Sequence, residues 1–204
     1  MTDLKAKRGL VLGIANEHSI AYGCARAFRE SGAELAITYL NERAEPYVRP
    51  LAEELEAPLI LPCDVREPGQ LEAVFERGWG RLDFVPHSIA YAPRDDLHAR
   101  VVECSQQGFN LAMDVSVHSF IRMTRLAEQG IRVHALSPGP LDTRAASGID
   151  RFDELMERAR QRAPQHRLVN IADVGNVATF LVSDAASRLT GNLEYVDAGV
   201  HVME

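Results

Sequence analysis

Residues 9–23 of the chain read GLVLGIANEHSIAYG. The apolar run 9–15 is short and aliphatic, which predicts a buried strand. Ser19 is a suitable N-cap, and apolar side chains then recur at helical spacing until Gly32, which predicts a helix that ends there. A turn of small residues around Gly13 separates the two elements. A strand, a tight turn and a helix in this order indicate an α/β fold.

The same alternation continues along the rest of the chain. Further strands are predicted at residues 34–40, 59–65, 82–89, 131–137 and 193–196, and further helices at 44–55, 69–77, 108–128, 153–162 and 171–183. Such spacing implies right-handed crossovers, and therefore a doubly wound, mostly parallel sheet with helices on both faces. No repeat or linker interrupts the pattern, so residues 1–204 are predicted to form a single domain.

The composition excludes several functional classes. A formal net charge of −7 fits poorly with the phosphates of nucleic acids or with anionic membranes, so neither partner is predicted. The three cysteines lie far apart, which argues against a disulfide framework and indicates a reducing compartment. No apolar stretch has the length of a signal core or a membrane span, so we expect a cytoplasmic protein. The histidines show no ligand spacing, and no metal site is predicted.

The turns that follow the strands are the places to search for a ligand, because doubly wound sheets bind ligands beyond the carboxyl ends of their strands. In the first turn, Gly13 precedes a helix N-terminus whose free N–H groups suit a pyrophosphate. The spacing is not GxGxxG, so a plain loop is the alternative. After the third strand, Asp64 is placed either to accept a hydrogen bond from an adenine amino group or to cap the next helix.

The segments that follow two later strands complete the predicted ligand site. Residues 87–93, HSIAYAP, are small enough to leave a slot for a ribose and a nicotinamide, although a plain strand exit is the alternative. Residues 137–144, SPGPLDTR, break the chain sharply beside that slot, where a carboxamide could dock. Each signal is weak alone. Four of them at successive strand exits on one edge of a sheet predict a groove for a dinucleotide.

Together these segments resemble one known family. The segments are GIANEHSIAYG at 13–23, CDV at 63–65, HSIAYAP at 87–93, SPGPLDTRAASGI at 137–149 and YVDAG at 195–199. They are similar to the bacterial enoyl-acyl-carrier-protein reductases of the short-chain dehydrogenase/reductase superfamily, over nearly the whole chain. The TRAASGI segment disfavours the other enzymatic alternative, a carbonyl-reducing relative. The resemblance implies a Rossmann-like subunit of a homotetramer that reduces a trans-2-enoyl thioester on acyl carrier protein with NADH, in fatty-acid elongation.

The resemblance also assigns roles to individual positions. The implied cofactor contacts are Gly13, Ser19 and Ile20 at the pyrophosphate, Asp64 and Val65 at the adenine, Ser88, Ile89, Ala90 and Val115 at the ribose and nicotinamide, and Leu141 and Thr143 at the carboxamide and phosphates. Ala92 and Tyr91 would line the substrate pocket, residues from about 144 to 162 would cover it, and Arg144 and Arg158 would steer the acidic carrier protein. Leu40 stands where the family often has a polar side chain that reaches the adenosine ribose. No arginine directly follows the second strand to bind a 2′-phosphate, although Arg43 is near, so NADH is favoured over NADPH.

The chain departs from the family at its catalytic residues. In the family, a tyrosine followed by a lysine seven residues later stabilises the enolate formed by hydride transfer. The lysines here are Lys5 and Lys7, and no tyrosine has a lysine seven residues after it, so no catalytic residue is assigned. The family's fifth strand and helix, which carry this pair, are missing between residues 128 and 131.

Two hypotheses explain the missing unit. Either the natural polypeptide contains a segment that these 204 residues omit, or the protein is a catalytically inactive nucleotide-binding or assembly subunit. Loss of a central strand would force the fourth and sixth strands to pair anew and would uncover one face of the sheet. That packing argument favours the first hypothesis.

Overall fold

A computed structural model describes residues 2–77, 81–126, 131–143, 146 and 151–203. The described strands are β1 (Arg8–Val11), β2 (Glu34–Tyr39), β3 (Leu59–Pro62), β4 (His134–Pro138) and β5 (Asn192–Val196). The described α-helices are α1 (Ile20–Glu30), α2 (Glu45–Glu54), α3 (Gln70–Arg77), α4 (Arg94–His98), α5 (Gln106–Met113), α6 (Ser119–Leu126), α7 (Phe152–Arg162) and α8 (Ile171–Val182). Strands and helices alternate as predicted through α3 and again from β4 onward, and the short α4 was not expected.

The described strands form two parallel sheets. β2 lies between β1 and β3 in the first sheet, with Leu10 of β1 beside Ala36 of β2 and Ile37 of β2 beside Ile60 of β3. β4 and β5 pair in the second sheet. All of these pairings are parallel, which confirms the predicted α/β class.

The side chains of β1 show why helices cover both faces of the first sheet. Val11 points into a cluster with apolar residues of α1, α2 and α8. Its neighbours Leu10 and Leu12 point the opposite way, into a cluster with residues of α3 and α6. Because successive side chains of a strand alternate between faces, a strand buried on both sides is apolar throughout. That is the arrangement of a doubly wound sheet.

The predicted fourth strand, residues 82–89, is not a regular strand. It contacts β1 through two isolated parallel bridges, Gly9 with Phe84 and Leu12 with His87. Pro86 lies between these bridges and has no N–H to donate, so the ladder is interrupted. On the edge of this segment that faces away from β1, the N–H groups of Val85 and His87 have no acceptor within the described ranges.

The fourth and sixth strands do not pair anew, so that expectation was wrong. The strand predicted at residues 131–137, which is the sixth in the family's order, is β4. Its only partner among the described residues is β5. Among the described residues no strand lies between residues 82–89 and β4, so two sheets stand in place of one continuous sheet.

The predicted helix over residues 108–128 begins earlier and is interrupted. α5 passes into a π-helical turn (Asp114–His118) and then into α6, and residues 127–130 lie outside the described residues. A π-helical turn holds one more residue than an α-helical turn, so it shifts the faces of the following helix. The amphipathic pattern alone does not reveal this insertion.

Candidate functional site

The turn after β1 leaves the N-terminus of α1 available to an anion. Ser19 occupies the N-cap position, as predicted, but its hydroxyl oxygen accepts from the N–H groups of Ala15 and Asn16, both at 3.0 Å, and does not cap the helix. The N–H groups of Ile20 and Ala21 therefore have no acceptor within the described part of the chain. Free N–H groups at the positive end of a helix dipole are suited to a phosphate.

Gly13 brings the first turn against the C-terminal end of the fourth segment (residues 82–89, the predicted fourth strand). Its φ is +105°, and a Cβ at this position would overlap the backbone carbonyl of Ser88. Only glycine adopts this conformation easily and leaves room for such a close approach. The structure thus brings the ends of two predicted strands into contact. The contact is possible because glycine has no side chain at this position.

Asp64 is held by Arg66 and does not cap a helix. Its carboxylate accepts from the Arg66 backbone N–H at 3.0 Å, from Nε at 3.0 Å and from the guanidinium at 2.7 Å. The next helix, α3, begins only at Gln70, so the alternative of a helix cap was wrong. Hydrogen bonds from the Arg66 side chain lower the pKa of Asp64, although burial of the carboxyl opposes them. The carboxylate is therefore ionised and fixed in direction beside Val65.

We expect Asp64→Asn to lower the free energy of unfolding by about 1 kcal/mol at pH 7. The folded pKa lies below the ordinary value of 3.8, so this contribution is present above that pH and is lost as the pH falls through the folded pKa. Thermal unfolding from pH 7 downward should show the difference from the unsubstituted protein shrinking in acid. Glu53→Gln, an exposed carboxylate with no described ion pair, is the control. A difference that stays constant with pH would contradict the assignment.

The end of the fourth segment is attached at one point to the π-helical turn and at another to the first residue of α6. His87 Nε2 lies 2.7 Å from the hydroxyl oxygen of Ser119, and the Tyr91 N–H donates to the hydroxyl of Ser116 at 3.1 Å. Between these points, Ser88 and Ile89 are partly exposed and Ala90 is exposed. The predicted slot residues are thus held at both ends.

The other residues predicted to contact the cofactor differ in how far their side chains are exposed to a ligand. Val115, Leu141 and Val65 are buried in the apolar core, so contacts with a ligand would have to come mainly from their backbones. Thr143 accepts from the Ala146 N–H through its hydroxyl at 3.2 Å. Leu40 lies just after β2 and is 47% exposed. Arg144 lies outside the described residues, as do 145 and 147–150.

Several interactions at the site have no signal in the sequence. Ser116, Ser119 and Arg66 belong to no recognisable motif, yet each binds a predicted site segment. Arg122 adds a fourth such contact, because its guanidinium donates to the Val65 carbonyl at 2.8 Å and pairs with Glu72. Each of these pairs either joins positions far apart in sequence or depends on a local turn. The spacing of apolar residues along the sequence predicts neither kind of contact.

The histidines away from this site differ from one another. His118 is exposed and bonded to Asp114, as expected of a surface histidine. Both ring nitrogens of His134 are buried and have no hydrogen-bond partner among the described residues. Within the described ranges, no three His, Cys, Asp or Glu side chains are grouped to hold a metal ion. In the same residues, no helix has the length and apolarity needed to cross a bilayer.

The comparison with protein families identifies the chain. A family model described as enoyl-(acyl carrier protein) reductase matches residues 13–129 and 124–201. The chain belongs to this family. The match to the enoyl reductase model falls into two stretches that meet at residues 124–129, where the sequence lacks the expected strand and helix.

Individual enoyl reductases give the same result. The NADH-dependent enoyl-acyl-carrier-protein reductase of Aquifex aeolicus is 35% identical over 251 aligned positions, which cover 98% of this chain and 93% of the relative. The Haemophilus influenzae enzyme is 34% identical, and the alignment covers 98% of this chain and 95% of the relative. Since the first alignment is longer than the 204 residues of this chain, the relative has residues that face gaps here.

Solved enoyl reductase structures confirm the Rossmann-like fold. The crystal structure of the Aquifex aeolicus enzyme superposes with a TM-score of 0.92 at 35% identity and covers 98% of each chain. The Bacillus cereus enzyme, solved with NADP⁺ and an indole naphthyridinone, gives a TM-score of 0.94 at 34% identity and covers all of both chains.

Proposed function

We propose that this protein is an NADH-dependent enoyl-acyl-carrier-protein reductase of fatty-acid elongation. The observation that carries the proposal is the first turn, where free N–H groups of Ile20 and Ala21 lie beside the close contact between Gly13 and Ser88. Together they provide an anion site next to a slot of small residues. Relatives that match nearly the whole chain are NADH-dependent enoyl reductases, which supports the same reaction.

The residues present fit a dinucleotide. The N-terminus of α1 would hold the pyrophosphate, the fixed carboxylate of Asp64 would accept from the adenine amino group, and Ser88 to Ala90 would line the nicotinamide side. When bound, NADH would supply the hydride that reduces the β-carbon of the enoyl thioester. Leu40 offers no hydrogen bond to the adenosine ribose, and the absence of an arginine directly after β2 favours NADH over NADPH.

The oxygen of the thioester gains negative charge as the hydride arrives, so it needs a hydrogen-bond donor. Tyr91 is the tyrosine nearest to the slot and is 48% exposed, but it has no neighbouring lysine in sequence. We therefore assign it, with Ala92, to the wall of the substrate pocket. The donor belongs to the strand–helix unit that the 204 residues do not contain.

A titration and an assay test the proposed function. In protein purified from its natural source, NADH fluorescence should show binding with a dissociation constant of about 1 µM–1 mM, the range usual for enzyme ligands. Absorbance at 340 nm should fall when trans-2-butenoyl thioester on acyl carrier protein is added, and not when a simple ketone is added. Absence of NADH binding would overturn the proposal, and consumption with the ketone alone would support the carbonyl-reducing alternative.

The missing catalytic pair and the divided sheet favour a second candidate, a nucleotide-binding subunit without catalytic activity. Intact mass separates the two functions. A polypeptide heavier than 22.6 kDa that consumes NADH supports the reductase. A polypeptide of 22.6 kDa that binds NADH and does not consume it supports the inactive subunit.

We also propose that the protein acts on acyl carrier protein in the cytoplasm as a homotetramer. The support for assembly is an apolar stripe on the helix from α5 to α6, formed by the exposed side chains Phe109, Met113, Val117 and Ile121. These side chains recur every four residues, so they lie on one side of the helix, and exposed apolar patches of this kind usually bind protein. Light scattering that gives four times the mass of the chain would support a second copy as the partner of this stripe.

A further inference from the structure

The π-helical turn and the fourth segment are joined by a network that the proposed reaction does not explain. Ser119 begins α6 and is 1% exposed. Its hydroxyl donates to the Val115 carbonyl at 2.6 Å, and the same oxygen lies 2.7 Å from His87 Nε2. Three residues earlier, the hydroxyl of Ser116 binds the backbone of Tyr91.

The geometry defines which atom carries each proton. A carbonyl oxygen only accepts, so the single hydroxyl hydrogen of Ser119 must point at Val115. The hydroxyl oxygen then accepts from His87, which requires the tautomer that carries its proton on Nε2. Burial lowers the pKa of His87, so the ring is neutral near pH 7. The ring of Phe120 packs edge-on against it at 5.6 Å between ring centres.

These contacts lie at the two ends of the cofactor slot. His87 precedes Ser88, and Tyr91 follows Ala90. On the other side, the Ser88 carbonyl is in contact with Gly13. Backbone hydrogen bonds to β1 and Leu12 hold the segment as far as Ser88, whose N–H donates to the Leu12 carbonyl at 3.2 Å. No described backbone hydrogen bond holds Ile89 or Ala90, so this part of the segment needs attachments at its two ends to keep one conformation.

We propose that Ser119 is a positioning residue for the cofactor, holding the 88–90 segment in its binding conformation through His87. This inference rests on the proposed function. The π-helical turn is what allows it, because the extra residue rotates the helix so that Ser116 and Ser119 both face the fourth segment. Ser119 itself touches neither cofactor nor substrate; it acts through the ring and backbone of His87.

Ser119→Ala should raise the dissociation constant for NADH about tenfold, because it leaves a partly buried imidazole N–H without its acceptor and lets the segment leave its binding conformation. The titration is done on the whole chain, well below the thermal midpoint of each variant. Ser187→Ala, an exposed serine without a described side-chain hydrogen bond, is the matched control and should bind NADH as before.

Two further measurements separate positioning from simple stability. Combining His87→Leu with Ser119→Ala should raise the dissociation constant by less than the product of the two single effects, since both partners are then apolar. Long-range ¹H–¹⁵N NMR should show His87 with its proton on Nε2 in the unsubstituted protein.

The inference is overturned if Ser119→Ala lowers the thermal midpoint but binds NADH normally, or if His87 carries its proton on Nδ1. If the unsubstituted protein does not bind NADH, the proposed function fails. The tautomer still decides in that case whether Ser119 holds His87.

Discussion

Gly13→Ala is expected to abolish NADH binding and to destabilise the protein by about 3 kcal/mol. Two effects add. The φ of +105° is one that residues with a Cβ rarely adopt, which alone costs about 1 kcal/mol. The new methyl group would also overlap the Ser88 carbonyl, and a backbone atom cannot rotate away as a side chain can. Relief of the overlap must move the first turn away from the fourth segment, which opens the groove.

Gly69→Ala is the matched control for Gly13→Ala. Gly69 also has a positive φ, +81°, but nothing lies within 4 Å of a Cβ built there. Its substitution should therefore show only the conformational cost, about 1 kcal/mol, and NADH affinity should not change. Urea unfolding and NADH fluorescence on both variants check the prediction. Equal destabilisation by the two substitutions would show that the contact with Ser88 does not matter.

Gly175→Ala is expected to destabilise the protein by about 2 kcal/mol, which is opposite in sign to the usual effect of alanine in a helix. Gly175 lies in α8, where a Cβ would approach the Gly23 carbonyl of α1 to 2.5 Å. The reciprocal approach is equally close, because a Cβ on Gly23 would lie 2.5 Å from the Ile171 carbonyl. The two helices thus pack backbone against backbone, and a methyl group must separate them.

A thermal midpoint lower by about 4–8 °C is the expected reading for Gly175→Ala in a chain of this size. Asn176→Ala provides the control, since Asn176 is the next residue of α8 and is exposed. Alanine there should leave the midpoint unchanged or raise it slightly. A Gly175→Ala protein as stable as the control would mean that α1 and α8 do not pack through these glycines.

Much of the site was accessible from the sequence through features local to the chain. Gly13 and Ser19 were placed correctly in the first turn because a strand, small residues and a cap follow one another directly. The start of α8 is equally local, because Asn170 and Asp173, three residues apart, cap the helix together. The roles of the individual cofactor residues came from the family resemblance and stay predictions.

The sequence by itself determined the α/β class, most of the strands and helices and the turn of small residues around Gly13. The reason is that strand and helix periods, caps and helix-ending glycines are properties of neighbouring residues. Only the tertiary structure decided that Asp64 binds Arg66 and does not cap a helix, that Ser119 contacts His87, and that residues 82–89 do not pair with β4. Those outcomes depend on which distant segments pack together and which backbone donors find an acceptor.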